Sequence, residues 1–307
     1  MIFYKLFDDV STLVPDKKSI NDLTYNDVKS LVKTTPYNYL CSSHGWQILI
    51  DILVAARHNQ PLVIPPKDGI DYDLPAEPAR GFGIYLYTSG SSTGKRKPIF
   101  LSEEMLLANS RTAVQQQHIN INDIVYNVCS MNHTGGLNVQ VIPTLLIGGT
   151  VIVEEFDPFA FTRRLQETGA TITHLVPRML NSVRNPQKHN LKLIAAGSDC
   201  IKKEHVAGWL DVGVPFMLNY GMTEAGPVII NHTFKDIEEL AVFDRDVPLG
   251  SNITCDYRID DSELFLMGNN ISRDGWLATG DCVYQQDGWF FYRGRKSAGC
   301  TIIAKRY

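Results

Sequence analysis

Three apolar runs, TVIVEE (150–155), ITHLVP (172–177) and LKLIAAGS (191–198), recur with helix-like stretches such as DPFAFTRRLQETG (157–169) between them. That alternation limits the chain to few folds. Strands that are apolar at successive positions fit burial on both faces, and helices lying between strands make those strands run parallel. GFGIYLYTS (81–89) and DIVYNVCSMNHTGGLN (123–138) add strands upstream, the second expected to end at His133. LTYNDVKSLVKTTP (23–36) reads as a helix stopped before Pro36. SHGWQILIDILVAARHNQPLVIPP (43–66) reads as a largely buried helix followed by a short strand. SEEMLLANSRTAVQQQH (102–118) reads as a helix capped by Ser102, with Glu103 and Glu104 in its first turn. The rest of the first 40 residues is polar and mixed, with weak periodicity. After residue 225, SELFLMG, DGWLATGDCV and DGWFFYRGR give short strands and turns, so a β-rich part is expected there. The expected organisation is an abbreviated α/β segment at 1–80, an α/β subdomain at 81–225 and a β-rich subdomain at 226–307.

Composition narrows the functions. A chain of 307 residues, 44% of them hydrophobic, can bury a full core. A net charge of −4 argues against a general nucleic-acid binder, which needs a basic face, so any phosphate site must be local. The longest apolar run, VIPTLLIGGTVIV (141–153), is shorter than the roughly 18 residues that span a bilayer. The start, MIFYKLFDDVSTLVPDKK, carries Asp8 and Asp9 where a signal peptide would be apolar. Cysteines at 41, 129, 200, 255, 282 and 300 show neither C-x-x-C nor zinc-ligand spacing, so reduced thiols and a cytoplasmic location are expected.

The segment YTSGSSTGKRKP (87–98) follows a strand with glycines, hydroxyls and then Lys95, Arg96 and Lys97. Glycines let backbone N–H groups and hydroxyls approach a phosphate, and lysines neutralise it. It is not a Walker A loop, because three residues separate Gly90 and Gly94 and Arg96 stands where the metal-binding hydroxyl belongs. Nor does any serine have the glycine flanks of a nucleophile elbow. On this stretch alone, a phosphate cradle and a polar solvated loop both stand. LNYGMTEAGP (218–227) adds Tyr220 to stack on a base, Gly221 for close approach, Thr223 for a phosphate oxygen and Glu224 as a hard ligand for Mg²⁺. GWLATGD places Asp281 at a strand end, suited to two ribose hydroxyls, and YRGR brings Arg295.

In this order the segments resemble the adenylate-forming superfamily of acyl-CoA synthetases, aryl-CoA ligases, luciferases and peptide-synthetase adenylation domains. The resemblance runs from about residue 43 to 295. It implies an α/β fold: the large N-terminal domain of acyl-adenylate-forming enzymes, with mostly parallel sheets flanked by helices and a smaller β-rich, distorted barrel-like subdomain. It further implies that Thr88, Ser89, Gly90, Ser91, Ser92, Thr93, Gly94, Lys95 and Lys97 surround the β- and γ-phosphates of ATP. Thr223 would meet the α-phosphate and Glu224 the Mg²⁺. Gly197, Ser198, Asn219, Tyr220 and Gly221 would hold adenine, and Asp281 and Arg295 the ribose. MNHTGGL (131–137) resembles the family's acyl-pocket gate, which makes His133 the gate residue; a structural histidine at a strand end is the alternative. The implied chemistry is attack of a carboxylate on the α-phosphorus of ATP, giving acyl-AMP and pyrophosphate, with CoA, a carrier-protein thiol or an amine as later acceptor.

Departures from the family pattern bear on activity. Ser91 and Ser92 make the loop one residue longer, and Arg96 and Pro98 replace the proline and glycine around its lysine. After Arg295 come Ser297 and Ala298 where the hinge Asp or Lys is expected. The family continues into a C-terminal domain whose lysine bridges the carboxylate and the α-phosphate. Without that contact, adenylation is expected to slow by roughly 10²- to 10³-fold. The second reading is therefore an ATP- or acyl-adenylate-binding module that needs a separate C-terminal domain or partner chain. No Asp in VCSMNHTGG is available to hold an α-amine, which favours an aryl or medium-sized acyl acid over an amino acid. Asp199 either greets a polar group or is a surface turn residue.

Overall fold

The computed structural model describes residues 2–67, 71–88, 96–244 and 247–298. Its centre is a nine-stranded sheet. Six neighbouring strands run parallel, in the order Phe216–Met222, Leu193–Gly197, Ile172–Leu175, Ile124–Asn127, Thr150–Val153, Lys18–Ile20. Antiparallel strands Gly226–Phe234 and Asn252–Ile253 close one edge and Leu23–Thr24 the other. Both faces are covered, as runs of consecutive apolar residues require. Val125, Val151, Ile172, Ala195 and Met217 pack on one side with Phe3, Phe7 and most of the helix Gln47–His58. Tyr126, Leu175, Ile194, Phe216 and Leu218 pack on the other with Phe161, Leu165, Val206 and Trp209.

Two smaller sheets flank this layer. Pro61–Val63 pairs parallel with Gly83–Tyr87, which pairs antiparallel with Pro98–Ser102. Asp256–Asp260, Glu263–Met267, Leu277–Gln286 and Trp289–Arg295 form a four-stranded antiparallel sheet. Residue 225, the expected division between α/β and β-rich parts, falls in the turn joining the paired strands Phe216–Met222 and Gly226–Phe234.

Local expectations meet the structure unevenly. The helix Tyr25–Thr34 ends before Pro36 and starts from a reciprocal Thr24/Asp27 cap. Ser102 caps the helix Glu103–Gln117, its hydroxyl accepting from the Met105 N–H at 3.3 Å. Ser102→Ala is expected to lower stability by about 1 kcal/mol, read from a denaturant midpoint at unchanged slope.

One expectation fails. The strand expected to reach His133 stops at Asn127, whose amide turns back to donate to the Cys129 carbonyl at 3.0 Å. His133 instead precedes the short helix Thr134–Leu137, where Gly136 lies so close to the Ser130 carbonyl that no Cβ fits. The weakly periodic N-terminus contains the helix Ile2–Leu13, and its strand Lys18–Ile20 belongs to the main sheet. Only Phe3, Phe7 and Ser11 of that helix are buried, a stripe too narrow to stand out in the sequence.

Among the described residues no helix is long and apolar enough to cross a membrane. Cys41, Cys129 and Cys255 are free thiols.

Candidate nucleotide site

The carboxyl ends of the adjacent parallel strands Leu193–Gly197 and Phe216–Met222 open into a cavity of about 1010 Å³. Ligands of open α/β sheets bind outside such strand ends. Gly197 pairs with Asn219, and a Cβ on Gly197 would run into the Asn219 carbonyl oxygen. Ser198 then turns the chain at φ +77°, a left-handed conformation that costs a non-glycine residue about 1–2 kcal/mol. Its exposed side chain lines the cavity.

Asn219 is 7% exposed, and neither its amide nitrogen nor its amide oxygen has a hydrogen-bond partner among the described residues. A buried amide without partners costs about 1–3 kcal/mol, which a ligand presenting both a donor and an acceptor edge recovers. An adenine edge fits that requirement.

One residue on, Tyr220 donates its hydroxyl to Asp281 Oδ2 at 2.7 Å. Arg295 Nε reaches Asp281 Oδ1 at 3.1 Å, and Arg295 Nη1 donates to the Thr279 carbonyl at 2.9 Å. Asp281 and Arg295 face each other in register across the strand pair Leu277–Gln286 and Trp289–Arg295. Burial pushes the Asp281 carboxyl above the usual aspartate range, and the Tyr220 hydroxyl and Arg295 oppose the shift. Burial, reinforced by the Asp281 charge, raises the Tyr220 hydroxyl well above its ordinary value. The cavity thus ends on a carboxylate already held at both oxygens and still able to accept from a ligand hydroxyl.

The turn after Phe216–Met222 carries Thr223 and Glu224, both half-buried. Its shape depends on two glycines. A Cβ on Gly221 would collide with the Gly226 carbonyl and the Pro227 backbone, and Gly226, at φ +89°, has the Asn109 amide where a Cβ would stand. Gly221→Ala is expected to cost about 1–3 kcal/mol through forced backbone displacement, measured as a lower unfolding midpoint. Burial raises the Glu224 carboxyl above the ordinary glutamate range, with Arg295 opposing and Asp281 reinforcing the shift. Among the described residues no group of three His, Cys, Asp or Glu side chains could hold a metal ion. A single carboxylate suits Mg²⁺ that arrives bound to nucleotide phosphates.

Of the residues singled out in the sequence, Ser198, Asn219, Tyr220, Gly221, Asp281 and Arg295 line this one cavity. Gly197 adjoins it, and Thr223 and Glu224 lie in the turn that follows the strand Phe216–Met222. His133, Thr88 and Lys97 do not line it. Ser89, Gly90, Ser91, Ser92, Thr93, Gly94 and Lys95 lie outside the described residues. Lys97 is exposed.

Two contributors escaped the sequence reading. Arg96 is 6% exposed and structural: Nη1 donates to the Thr88 carbonyl at 3.1 Å, and its backbone pairs with Asp71 and Asp73. The residue that breaks the family's loop pattern therefore ties the two ends of the loop together. Tyr292 lines the cavity and sits beside Asp281. Its only signal was its place three residues before Arg295 in a segment already marked.

Comparison with known proteins agrees with this architecture. Residues 41–262 match the family model described as AMP-binding enzyme. Indoleacetate–CoA ligase of Aromatoleum aromaticum is 27% identical over 278 residues, covering 76% of this chain and 53% of its own. Feruloyl-CoA synthase of Amycolatopsis is 27% identical over 227 residues, covering 67% and 45%. The chain spans about half the length of these curated relatives. o-Succinylbenzoate CoA synthetase of Bacillus subtilis, solved with the acyl-adenylate intermediate, superposes with a TM-score of 0.77 at 16% identity, over 95% of this chain and 78% of that one. The family model covers well over half of the sequence, and its match contains the sheet ends, Ser198, Asn219 and Tyr220 that build the cavity: the chain belongs to the AMP-binding enzyme family.

Proposed function

We propose that this chain binds ATP with Mg²⁺ and activates a carboxylic acid, of aryl or medium-sized acyl type, as its acyl-adenylate. The observation that carries this reading is the convergence of the unpartnered Asn219 amide, Tyr220 and the Asp281–Arg295 pair on one cavity at the carboxyl ends of parallel strands.

Asn219 holds the adenine edge, Tyr220 covers its face, and Asp281 with Arg295 holds the ribose. Gly197, Ser198 and Gly221 allow the backbone to approach. Thr223 lies on the α-phosphate, and Thr88, Lys97 and the loop 89–95 surround the distal phosphates. Glu224 holds Mg²⁺, which neutralises charge on the phosphate oxygens. His133 stands between the acyl pocket and the reacting carboxylate. The protein aligns two anions and screens the charge that grows as the carboxylate oxygen bonds to phosphorus and pyrophosphate departs.

A thiol such as CoA as acyl acceptor, a carrier protein, a separate C-terminal domain and a cytoplasmic location belong to the same proposal. It draws on relatives named as CoA ligases and on the B. subtilis synthetase also solved with ATP and magnesium.

ATP–pyrophosphate exchange with a panel of aryl and acyl carboxylates tests it, with and without a lysine-bearing C-terminal domain supplied in trans. Carboxylate-dependent exchange is the expected result. ATP binding without exchange under both conditions would reduce the function to nucleotide binding, and no ATP binding would remove the reading altogether.

A further inference from the structure

Asn231 lies on the strand Gly226–Phe234, is 3% exposed and does not line the nucleotide cavity. It stands directly opposite Asn219 in an antiparallel pair, so the two side chains leave the sheet on the same face, with Cβ atoms about 5 Å apart. On its other side Asn231 pairs with Asn252, whose Nδ2 donates to Asn231 Oδ1 at 3.3 Å and to Gln116 Oε1 at 2.8 Å. Those two bonds orient the amides in turn. Asn231 gives its oxygen to Asn252 and keeps Nδ2 as a buried donor with no hydrogen bond among the described residues. Asn219, across the pair, has an unpartnered amide oxygen as well as an unpartnered amide nitrogen.

A buried donor and a buried acceptor that face each other without bonding are satisfied by one ordered water, which accepts from the first and donates to the second. The orientation this imposes on Asn219 matters because a side-chain amide is a reversible reader. Turned over about its last bond, it exchanges donor and acceptor in the same space. Free to turn, Asn219 could meet either a 6-aminopurine such as adenosine or a 6-oxopurine such as inosine. A water that donates to Asn219 Oδ1 removes that freedom. The oxygen keeps its second lone pair for a 6-amino group, and Nδ2 is left to donate to a ring nitrogen.

We propose that Asn231 is a positioning residue: through one buried water it holds the Asn219 amide in a single orientation, and the site therefore takes 6-aminopurine nucleotides and rejects their 6-oxo counterparts. This rests on the nucleotide reading above. The mismatched base leaves a buried polar group unpaired and binds about tenfold more weakly.

Calorimetric titration with adenosine and with inosine tests this directly. The unsubstituted protein should bind adenosine about tenfold more tightly than inosine. In the Asn231→Leu protein, which has similar bulk at this position and no donor, Asn219 is free to turn. The ratio should fall to about one, and inosine should bind more tightly than it does to the unsubstituted protein. Damage to the fold weakens both nucleosides and cannot produce that gain. A high-resolution crystal structure of the unsubstituted protein without nucleotide gives a reading that needs neither variant nor ligand: one water should lie within hydrogen-bond distance of both Asn231 Nδ2 and Asn219 Oδ1. Adenosine and inosine bound equally by the unsubstituted protein, a preference that persists in a folded Asn231→Leu protein, or a dry gap between the two amides overturns this inference and leaves the nucleotide reading standing. Failure of both nucleosides to bind removes the nucleotide reading and this inference with it.

Discussion

Adenosine is expected to bind the Asp281→Asn protein about 10- to 100-fold more weakly than the unsubstituted protein. The aspartate accepts from Tyr220 at 2.7 Å and pairs with Arg295 at 3.1 Å, so an asparagine of the same shape keeps the packing. It loses the charge and half of the acceptor capacity offered to a ribose. Hydrogen bonds to a charged acceptor are worth about 1.5–3 kcal/mol, which sets the range. Comparison with 2′-deoxyadenosine isolates the contact. The unsubstituted protein should discriminate between the two nucleosides, and the Asp281→Asn protein should do so far less. Equal affinity of the unsubstituted protein for both would remove ribose recognition from Asp281.

The raised pKa of Asp281 adds a pH dependence. If the carboxylate holds the ribose as proposed, adenosine affinity should fall as pH drops through the folded value, beginning above the ordinary aspartate range. Folding responds with the opposite sign. Above the folded value the buried charge costs stability, and part of that cost is recovered as pH falls towards the aspartate value of the unfolded chain. A titration in which binding weakens while the melting temperature holds or rises across that window separates loss of the ligand contact from acid unfolding.

The parts legible in the sequence were those whose signal is local. Apolar runs alternating with helices gave the parallel layer, because burial on both faces leaves a continuous hydrophobic trace in Thr150–Val153, Ile172–Leu175 and Leu193–Gly197. The turn at Gly221–Gly226 was legible because glycines, a hydroxyl and a carboxylate crowd into six positions. Long-range pairing was not legible. Nothing near Lys18 announces that its strand lies beside Thr150–Val153, since their register rests on the single pair Ile20 and Val151. Tyr292 was hidden for another reason. The register between Leu277–Gln286 and Trp289–Arg295 shifts between Cys282 and Val283, so simple alternation from Arg295 does not say which way Tyr292 points. Arg96 was read by its charge and turned out to brace the chain, because burial beneath Thr88 depends on the neighbouring bridge to Tyr72.

Glu224→Gln should lower Mg²⁺-dependent ATP–pyrophosphate exchange about 10²- to 10³-fold, with a much smaller effect on adenosine binding. The split follows from position. Glu224 lies in the turn beyond the strand that carries Asn219 and Tyr220, and its backbone carbonyl is fixed by the Ser272 N–H at 2.7 Å. Removing its charge therefore leaves the adenine and ribose contacts in place and takes away one strong contact made as charge builds on phosphate. Burial raises the carboxyl above the ordinary glutamate range, so the neutral acid persists to higher pH than usual. Only the anion is a good Mg²⁺ ligand, so exchange falls as pH drops through that raised value. Metal and proton compete for the same oxygens, and higher Mg²⁺ should move the acid limb of the profile to lower pH. In the Gln variant that magnesium-dependent movement disappears while the residual rate remains measurable. An acid limb that ignores Mg²⁺ concentration in the unsubstituted protein would show that Glu224 does not hold the metal, whatever the size of the rate loss.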